Sequence, residues 1–460
     1  MVKNVIAIID GAVGSCGKAK VVGEIATDKS ITLGAAITNC APNAGHTFVD
    51  ENGNATIFRN IPVSAVNPNT ELFIGPGSAI DMEIFIDEYN RVERYLNDRK
   101  IYIHEMVPLI CDRHKQYERE HITSGSTFKG GGAALMEKIM RDSRLEFFHT
   151  FNNAIVCSNE EWHEKLNNHL ENPQEYVLLE GSQGCELSLN HSSNFPNVTC
   201  KDISSAQLLY DSGISPERLL QTIMVIRPFP IRISNLTTDG KYIYSGSYGK
   251  GEELTWTQIN LASMYGNYPF NSAKNFENNY LVERQNRLKK LISQCPEIYL
   301  KQVLGDNFRF RRLDSITILE ALEIERLVYK SKGFTEYETR FIELPMFDRD
   351  YPPNTIIDQS EQTTVTKMER RVFDLDIEKL KLSCDINTPS SLYLNFFQHL
   401  NLEYKGNKGN FEDYYFDKHL REYLNWLEAK TNVEISILGT GPKNGERILK
   451  RNLYRPIDSK

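Results

Sequence analysis

The 460-residue chain has no apolar run near the ~18 residues a helix needs to cross a bilayer. Its first apolar stretch, Val5 to Ile9, is too short for a signal-peptide core. No membrane partner is expected, and the expected location is the cytoplasm. Cysteine is sparse, with eight residues and no CxxC pair, which excludes a disulfide framework and leaves ordinary reduced thiols. Cys111, Asp112, His114 and His121 lie close together but lack a metal-ligand spacing, so they read as the solvated face of a helix. No basic stripe exists either: Lys and Arg number 53 against 61 acidic residues, the net charge is −8, and the cations are scattered. Nucleic acid is therefore not an expected partner. Internal repeats and low-complexity tracts are also missing, which sets aside solenoids and disordered tails.

What is present is the composition of a folded globular protein, 40% hydrophobic and 25% charged. Val5-Ile6-Ala7-Ile8-Ile9 is a continuous apolar run suited to a strand buried on both faces. Similar runs occur at Ile31 to Ile37, Glu71 to Ile74, Ile101 to His104, Val177 to Leu179, Thr222 to Ile226 and Val433 to Leu438. Amphipathic segments separate many of them. That alternation predicts an α/β fold, a central mostly parallel sheet flanked by helices. From 258 to 359 the chain turns rich in Asn, Tyr, Glu, Lys and Arg, and reads as a mostly helical insertion packed on a core formed by 1–257 and 360–460. Helices are expected there at Asn279 to Ser293 and Ser315 to Lys330.

The first strand runs into Asp10-Gly11-Ala12-Val13-Gly14-Ser15-Cys16-Gly17-Lys18. A glycine loop, a helix N-terminus and a lysine together stabilise a multiply charged phosphate. The loop is P-loop-like without being a Walker A motif, because Ala12 and Ala19 stand where that motif needs Gly and Ser or Thr. A tight strand-to-helix turn with a surface lysine is the plainer alternative. Further on, Pro42-Asn43-Ala44-Gly45-His46-Thr47 sets an imidazole beside a glycine, where it can offset charge developing on a transferring phosphoryl group.

In chain order, Gly11 to Lys20, Asn43-Ala44-Gly45-His46-Thr47, Ile74-Gly75-Pro76-Gly77, Glu180-Gly181-Ser182-Gln183-Gly184 and Thr440-Gly441-Pro442 resemble the signature segments of the adenylosuccinate synthetase family. The resemblance covers most of the chain outside the insertion, and five matches in order are far more specific than any one. It implies a ligase that phosphorylates the 6-oxygen of a purine nucleotide and then lets the amine of L-aspartate displace the phosphate. Gly14, Gly17 and Lys18 would hold the phosphates of the nucleoside triphosphate, Gly45 would offer a carbonyl to Mg²⁺, and His46 would stabilise the phosphoryl group in transit. Asn43, Thr123, Ser124 and Thr199 would bind the acceptor nucleotide, Gln183 its purine and the migrating phosphate, and Arg232 would line the nucleotide and amino-acid site. Arg141 matches an arginine that reaches across a homodimer interface to the acceptor phosphate. Thr366, Lys367, Arg370 and Arg371 look like the aspartate-binding loop, whose guanidinium groups suit carboxylate capture.

Two departures refine the expectation. Ser15 stands where the family has an aspartate that acts as general base and metal ligand. Losing such a base costs on the order of 10²- to 10⁴-fold in rate unless substrate or base changes. The same replacement marks a phage-type branch, 2-aminoadenylosuccinate synthetase, which takes dGMP in place of IMP. Arg227 to Ile233, Ser245-Gly246 and Thr363 to Lys367 also look more like that branch. Second, Leu394-Asn395-Phe396-Phe397-Gln398 replaces the Lys-x-Asp pair that reads guanine in the donor. Gln398 offers one donor and one acceptor, which suits adenine, and Phe396 or Phe397 could stack, so ATP or dATP is the expected donor. The alternative is that these aromatics are core and that backbone near Gly441 and Pro442 holds the base. Three other readings stand beside the main one: an enzyme using IMP and GTP, a catalytically inactive nucleotide sensor, and a plain P-loop ATPase.

Overall fold

The computed structural model of the protein describes residues 1–238, 241–256, 292–305, 359–362, 368–416 and 418–457, with single positions between 259 and 331. Contacts divide the chain into two compact units, Met1–Ile259 with Gln359–Lys460, and Asn260–Asp358.

The first unit is built on strands β1 (Val5–Asp10), β2 (Leu33–Thr38), β5 (Glu71–Ile74), β6 (Ile101–His104), β7 (Ala154–Cys157), β8 (Tyr176–Glu180) and β9 (Leu219–Ile226), with a hairpin of β3 (His46–Val49) and β4 (Ala55–Phe58) after β2. Then come β10 (Ile231–Arg232), a hairpin of β11 (Leu236–Thr238) and β12 (Lys241–Ile243), β13 (Glu253–Leu254) and β14 (Arg371–Phe373). The chain ends with β15 (Ser391–Leu394), β16 (Gly409–Asn410), β17 (Ile435–Gly439) and β18 (Arg447–Leu449). Among the described residues the main sheet has eleven strands in the order β16-β18-β17-β15-β9-β1-β8-β2-β5-β6-β7. All neighbours are parallel except β17 and β18. Every residue of β1, β2, β8 and β17 is buried, as expected of parallel strands covered on both faces. The seven apolar runs picked out from the sequence all fall on these strands, within a few residues at their ends.

The strand order explains where a ligand can sit. After β1 the chain winds through β2, β5, β6 and β7 on one side, returns to β8 beside β1, and then builds β9, β15 and β17 on the other side. Loops leaving the C-terminal ends of strands around such a reversal part from one another and leave a crevice. One wall of it is helix α1 (Lys18–Ala26), buried along its whole length. A Cβ at Gly23 would lie 2.3 Å from the Phe48 ring, so only glycine lets α1 pack this closely on the hairpin that carries His46.

Further helices of this unit are α2 (Met82–Leu96), α3 (Asp112–His121), α4 (Gly131–Met140), α5 (Asn159–Leu170), α6 (Ser205–Ser212), α7 (Ile377–Asn387) and α8 (Lys418–Thr431). The solvated-face reading fails for one residue of α3. His114 is buried, accepts from the Cys111 amide through Nδ1 at 3.0 Å, and places Nε2 2.9 Å from Glu137 of α4. It ties two helices together. At the C-terminus of α5, His169 Nδ1 lies 2.7 Å from Glu175 and Nε2 3.2 Å from Glu71. Burial alone would depress this imidazole, but the two carboxylates outweigh it and its pKa is raised. A raised pKa means the contribution is complete below the ordinary histidine range and disappears as pH climbs through the folded value. His169→Gln should therefore lower Tm by about 2 °C at pH 5.5 and by less at pH 8.5 in differential scanning fluorimetry.

In the second unit, helix Glu297–Leu304 contributes Leu300 and Leu304 to a small apolar cluster with Cys295, Ile324 and Val328. Most of the two helices expected in this stretch lies outside the described residues.

Candidate active site

The crevice at the C-terminal ends of β1, β2, β8, β9, β15 and β17 holds a cavity of about 470 Å³. Of the expected catalytic residues, Ser15, His46 and Gln183 all line it. So do Gly14, Gly17, Lys18, Gly45, Gly441 and Pro442 from the donor set, and Asn43, Ser124, Thr199 and Arg232 from the acceptor set. Residues separated by more than 400 positions are thus brought to one space by the sheet.

The backbone here is strained in a localised way. Ser15, Gln183 and Phe396 adopt left-handed conformations with φ of 59°, 61° and 57°, and all three face the cavity. Each costs on the order of 1 kcal/mol in a non-glycine residue, so the surrounding contacts must hold it there. Part of the holding is visible: Asn395 Nδ2 donates to the Cys16 carbonyl at 3.0 Å and Asn395 Oδ1 accepts from the Phe396 amide at 3.0 Å. Gly184 packs so tightly on the first loop that a Cβ would lie 2.2 Å from the Gly14 nitrogen.

Charge in the cavity is mainly cationic. Lys18 Nζ donates to the Gln183 carbonyl at 2.6 Å and pairs with Asp10 at 3.3 Å. Burial, with Lys18 and Arg59 nearby, pushes the His46 pKa down to about 3, so the ring is neutral at physiological pH and acts as a hydrogen-bonding group. Arg232 is buried; one Nη donates to the Asn197 carbonyl at 3.2 Å and to that of Ser245, while the other has no partner among the described residues. An unsatisfied guanidinium nitrogen beside a cavity is a place for an anionic or carbonyl ligand. Burial and Arg371 lower its pKa to about 10.

The two arginines expected to bind aspartate part ways. Arg370 lines the cavity and donates through Nη1 to Ser15 Oγ. Arg371 does not line it. Its guanidinium is spent on Glu253 at 2.8 and 2.6 Å, Asn235 at 3.2 Å, Ser245 Oγ at 3.1 Å and the Gly246 carbonyl at 2.7 Å. Arg371 starts β14 opposite Arg232, and successive residues of an extended strand project to opposite sides. Thr366 and Lys367 lie outside the described residues.

Three other expected positions are not on the cavity. Thr123 is exposed one residue before Ser124. Arg141 caps the C-terminus of α4, exposed next to Ile139 and Met140, which are 79% and 68% accessible. Gln398 is buried in the 3-10 turn Phe397–His399, away from the lining. The two aromatics resolve clearly: Phe397 is core, packed with Tyr404 and Phe416, while Phe396 lines the cavity with the Arg227 guanidinium 4.0 Å from its ring centre.

Sequence reasoning missed Arg227, Glu361 and Asp10. Arg227 is fully buried, donates to the Ser15 carbonyl at 3.0 Å and forms an ion pair with Glu361. Glu361 lines the cavity, and its carbonyl accepts from the Arg370 amide at 2.8 Å. The pair therefore fastens the Arg370 segment to the Ser15 loop. Arginine in an otherwise apolar run ending β9 was the available signal, since a buried guanidinium requires an anion.

The adenylosuccinate synthetase family model matches residues 7–156. The chain is 33% identical over 276 residues to N6-succino-2-amino-2'-deoxyadenylate synthase of Vibrio phage phiVC8, an alignment covering 56% of this chain and 74% of the phage protein. It is 29% identical over 231 residues to an adenylosuccinate synthetase of Methanococcus maripaludis, covering 49% and 66% of the two chains. In fold it is similar to the Cyanophage S-2L succinoaminodeoxyadenylate synthetase solved with dGMP and dATP as an energy donor, with TM-score 0.65, 21% identity and coverage of 98% and 96%. The fully ligated adenylosuccinate synthetase of Plasmodium falciparum aligns with TM-score 0.60, 14% identity and coverage of 97% and 100%. An ordered set of phosphate-loop, imidazole and glutamine segments converging on one cavity, and a third of residues shared across three quarters of a relative, lead to one conclusion: the chain belongs to the adenylosuccinate synthetase family.

Proposed function

We propose that the protein couples L-aspartate to the 6-position of dGMP through a 6-phosphoryl intermediate, with ATP or dATP as phosphate donor and 2-amino-2'-deoxyadenylosuccinate as product. The observation that carries this reading is the meeting of Lys18, His46, Gln183, Arg370 and Ser15 on a single cavity, with serine at the loop position where the family has aspartate. The relatives named for the 2-amino product support the choice of acceptor. Lys18 and the N-terminus of α1 hold the triphosphate, and neutral His46 donates to the phosphoryl group as charge develops. Gln183 meets the purine and the migrating phosphate. Arg370 and the open nitrogen of Arg232 receive the carboxylates of aspartate. Phe396 stacks on the donor base, a role that falls to it rather than to Phe397 or Gln398.

Magnesium fits this site as a cation carried by the triphosphate. Among the described residues no cluster of three or more His, Cys, Asp or Glu side chains is arranged to hold a metal. Gly45 and Ser15 supply neutral oxygens on the cavity wall. Phosphate oxygens and water would complete such a set, and the ion when bound would supply positive charge against the phosphates. The exposed Ile139-Met140-Arg141 end of α4 is the surface through which a second copy would deliver Arg141 to the acceptor phosphate. Residues 258–359 form an insertion in this scheme.

The test is direct. Purified protein is incubated with Mg²⁺, L-aspartate, one acceptor from dGMP, GMP, dIMP or IMP, and ATP, dATP or GTP, and the succinyl nucleotide is sought by mass spectrometry. Product from dGMP with ATP or dATP is expected. Reaction confined to IMP with GTP would overturn the acceptor and donor assignments, and tight binding with no product from any acceptor would leave a sensor.

A further inference from the structure

Asp10 takes no part in the scheme above, yet it is the one carboxylate of the loop that runs from β1 to α1. It is fully buried and does not line the cavity. One oxygen accepts from the amides of Ala12 at 3.0 Å and Gly14 at 3.2 Å. The other accepts from the Cys16 amide at 2.9 Å and from Lys18 Nζ at 3.3 Å. Every second amide of the loop is thus drawn inward onto the chain's own anion. In a phosphate-binding nest, a concave run of amides closes around a ligand. Here three of those amides are closed around Asp10 instead.

The consequences reach the cavity face of the loop. Fixing the amides at 12, 14 and 16 restricts the intervening Ser15, whose left-handed backbone would otherwise relax. The same carboxylate and the Gln183 carbonyl both accept from the Lys18 ammonium, so the lysine keeps one direction. A group held in place before binding loses less entropy when the triphosphate arrives and stabilises the transfer state without rearranging.

We propose that Asp10 is a positioning residue for phosphoryl transfer: it organises the loop from within, presenting Ser15 to the acceptor and Lys18 to the triphosphate. The proposal rests on the function argued above. Asp10→Asn keeps the size but replaces one acceptor oxygen by a donor facing donors, and leaves Lys18 without its counter-charge. Measured well below its Tm, this variant should show kcat lower by on the order of 10²-fold. Its triphosphate KM should change at least fivefold, while the L-aspartate KM stays within twofold of wild type. A folded variant that is merely less heat-stable, with kcat and triphosphate KM within twofold of wild type, overturns the proposal. Hydrogen exchange on the unaltered protein gives a second, activity-free reading. The amides of Ala12, Gly14 and Cys16 should be protected without nucleotide and gain little when MgATP is added; free exchange until MgATP binds would equally overturn it. Wild-type protein that makes no succinyl nucleotide from dGMP indicts the assigned reaction instead, and the exchange pattern then judges the loop by itself.

Discussion

Lys18→Ala should reduce turnover of dGMP, triphosphate and L-aspartate by about 10²- to 10³-fold, the cost of removing one preorganised charge from a transfer site. The side chain is nearly inaccessible and lies between the Asp10 carboxylate and the Gln183 carbonyl. Its loss does two separable things. The cavity loses the cation proposed to hold the phosphates, and Asp10 is left buried without its partner, a defect that costs about 3–5 kcal/mol when a buried pair is broken on one side. Adding Asp10→Asn to Lys18→Ala should therefore recover much of the lost Tm and none of the lost rate. Steady-state assay and fluorimetry on the single and double variants decide the matter: a folded Lys18→Ala protein within tenfold of wild-type kcat would show that the lysine does not hold the triphosphate.

Ser15→Asp should change the acceptor the protein prefers. Aspartate tolerates the left-handed backbone at this position, so the variant folds. Its carboxylate would meet Arg370, which now donates to Ser15 Oγ, and two parallel N–H···O contacts would hold it there. That consumes a guanidinium assigned to L-aspartate, and the L-aspartate KM should rise about tenfold, near the lower end for a hydrogen bond to a charged group. The added bulk and charge also fill space beside the position proposed for the purine, where dGMP carries a 2-amino group and dIMP does not. The ratio of dGMP to dIMP kcat/KM should fall at least tenfold. Unchanged preference together with unchanged L-aspartate KM would remove Ser15 from acceptor selection.

The parts of the site that were readable in advance share a property. Gly14, Gly17 and Lys18 follow an apolar strand, Gly45-His46 opens the hairpin that follows β2, and Gln183-Gly184 lie just past β8. Their placement follows from local pattern and from the rule that parallel strands deliver loops to one edge. The parts that were not readable depend on partners far away in sequence. Phe396 and Phe397 are adjacent and chemically alike; the turn after β15 sends one to the cavity and the other to Tyr404 and Phe416. Gln398 carried the right hydrogen-bonding groups for adenine and is buried away from the lining. His114, grouped with solvated neighbours on sequence grounds, is buried because α4 packs across α3.

By itself the sequence determined the alternation of buried strands and amphipathic helices, the glycine loop after the first strand, and the family to which the ordered motifs belong. Only the tertiary structure decided that Arg370 faces the cavity while Arg371 fastens β14 to Glu253, that Arg227 and Glu361 anchor that segment to Ser15, and that Asp10 gathers the loop's amides beneath Lys18. The reason is physical: apolar periodicity is set by burial and survives in local order, whereas the direction of a charged side chain is set by whichever counter-charge the fold brings within about 3 Å of it.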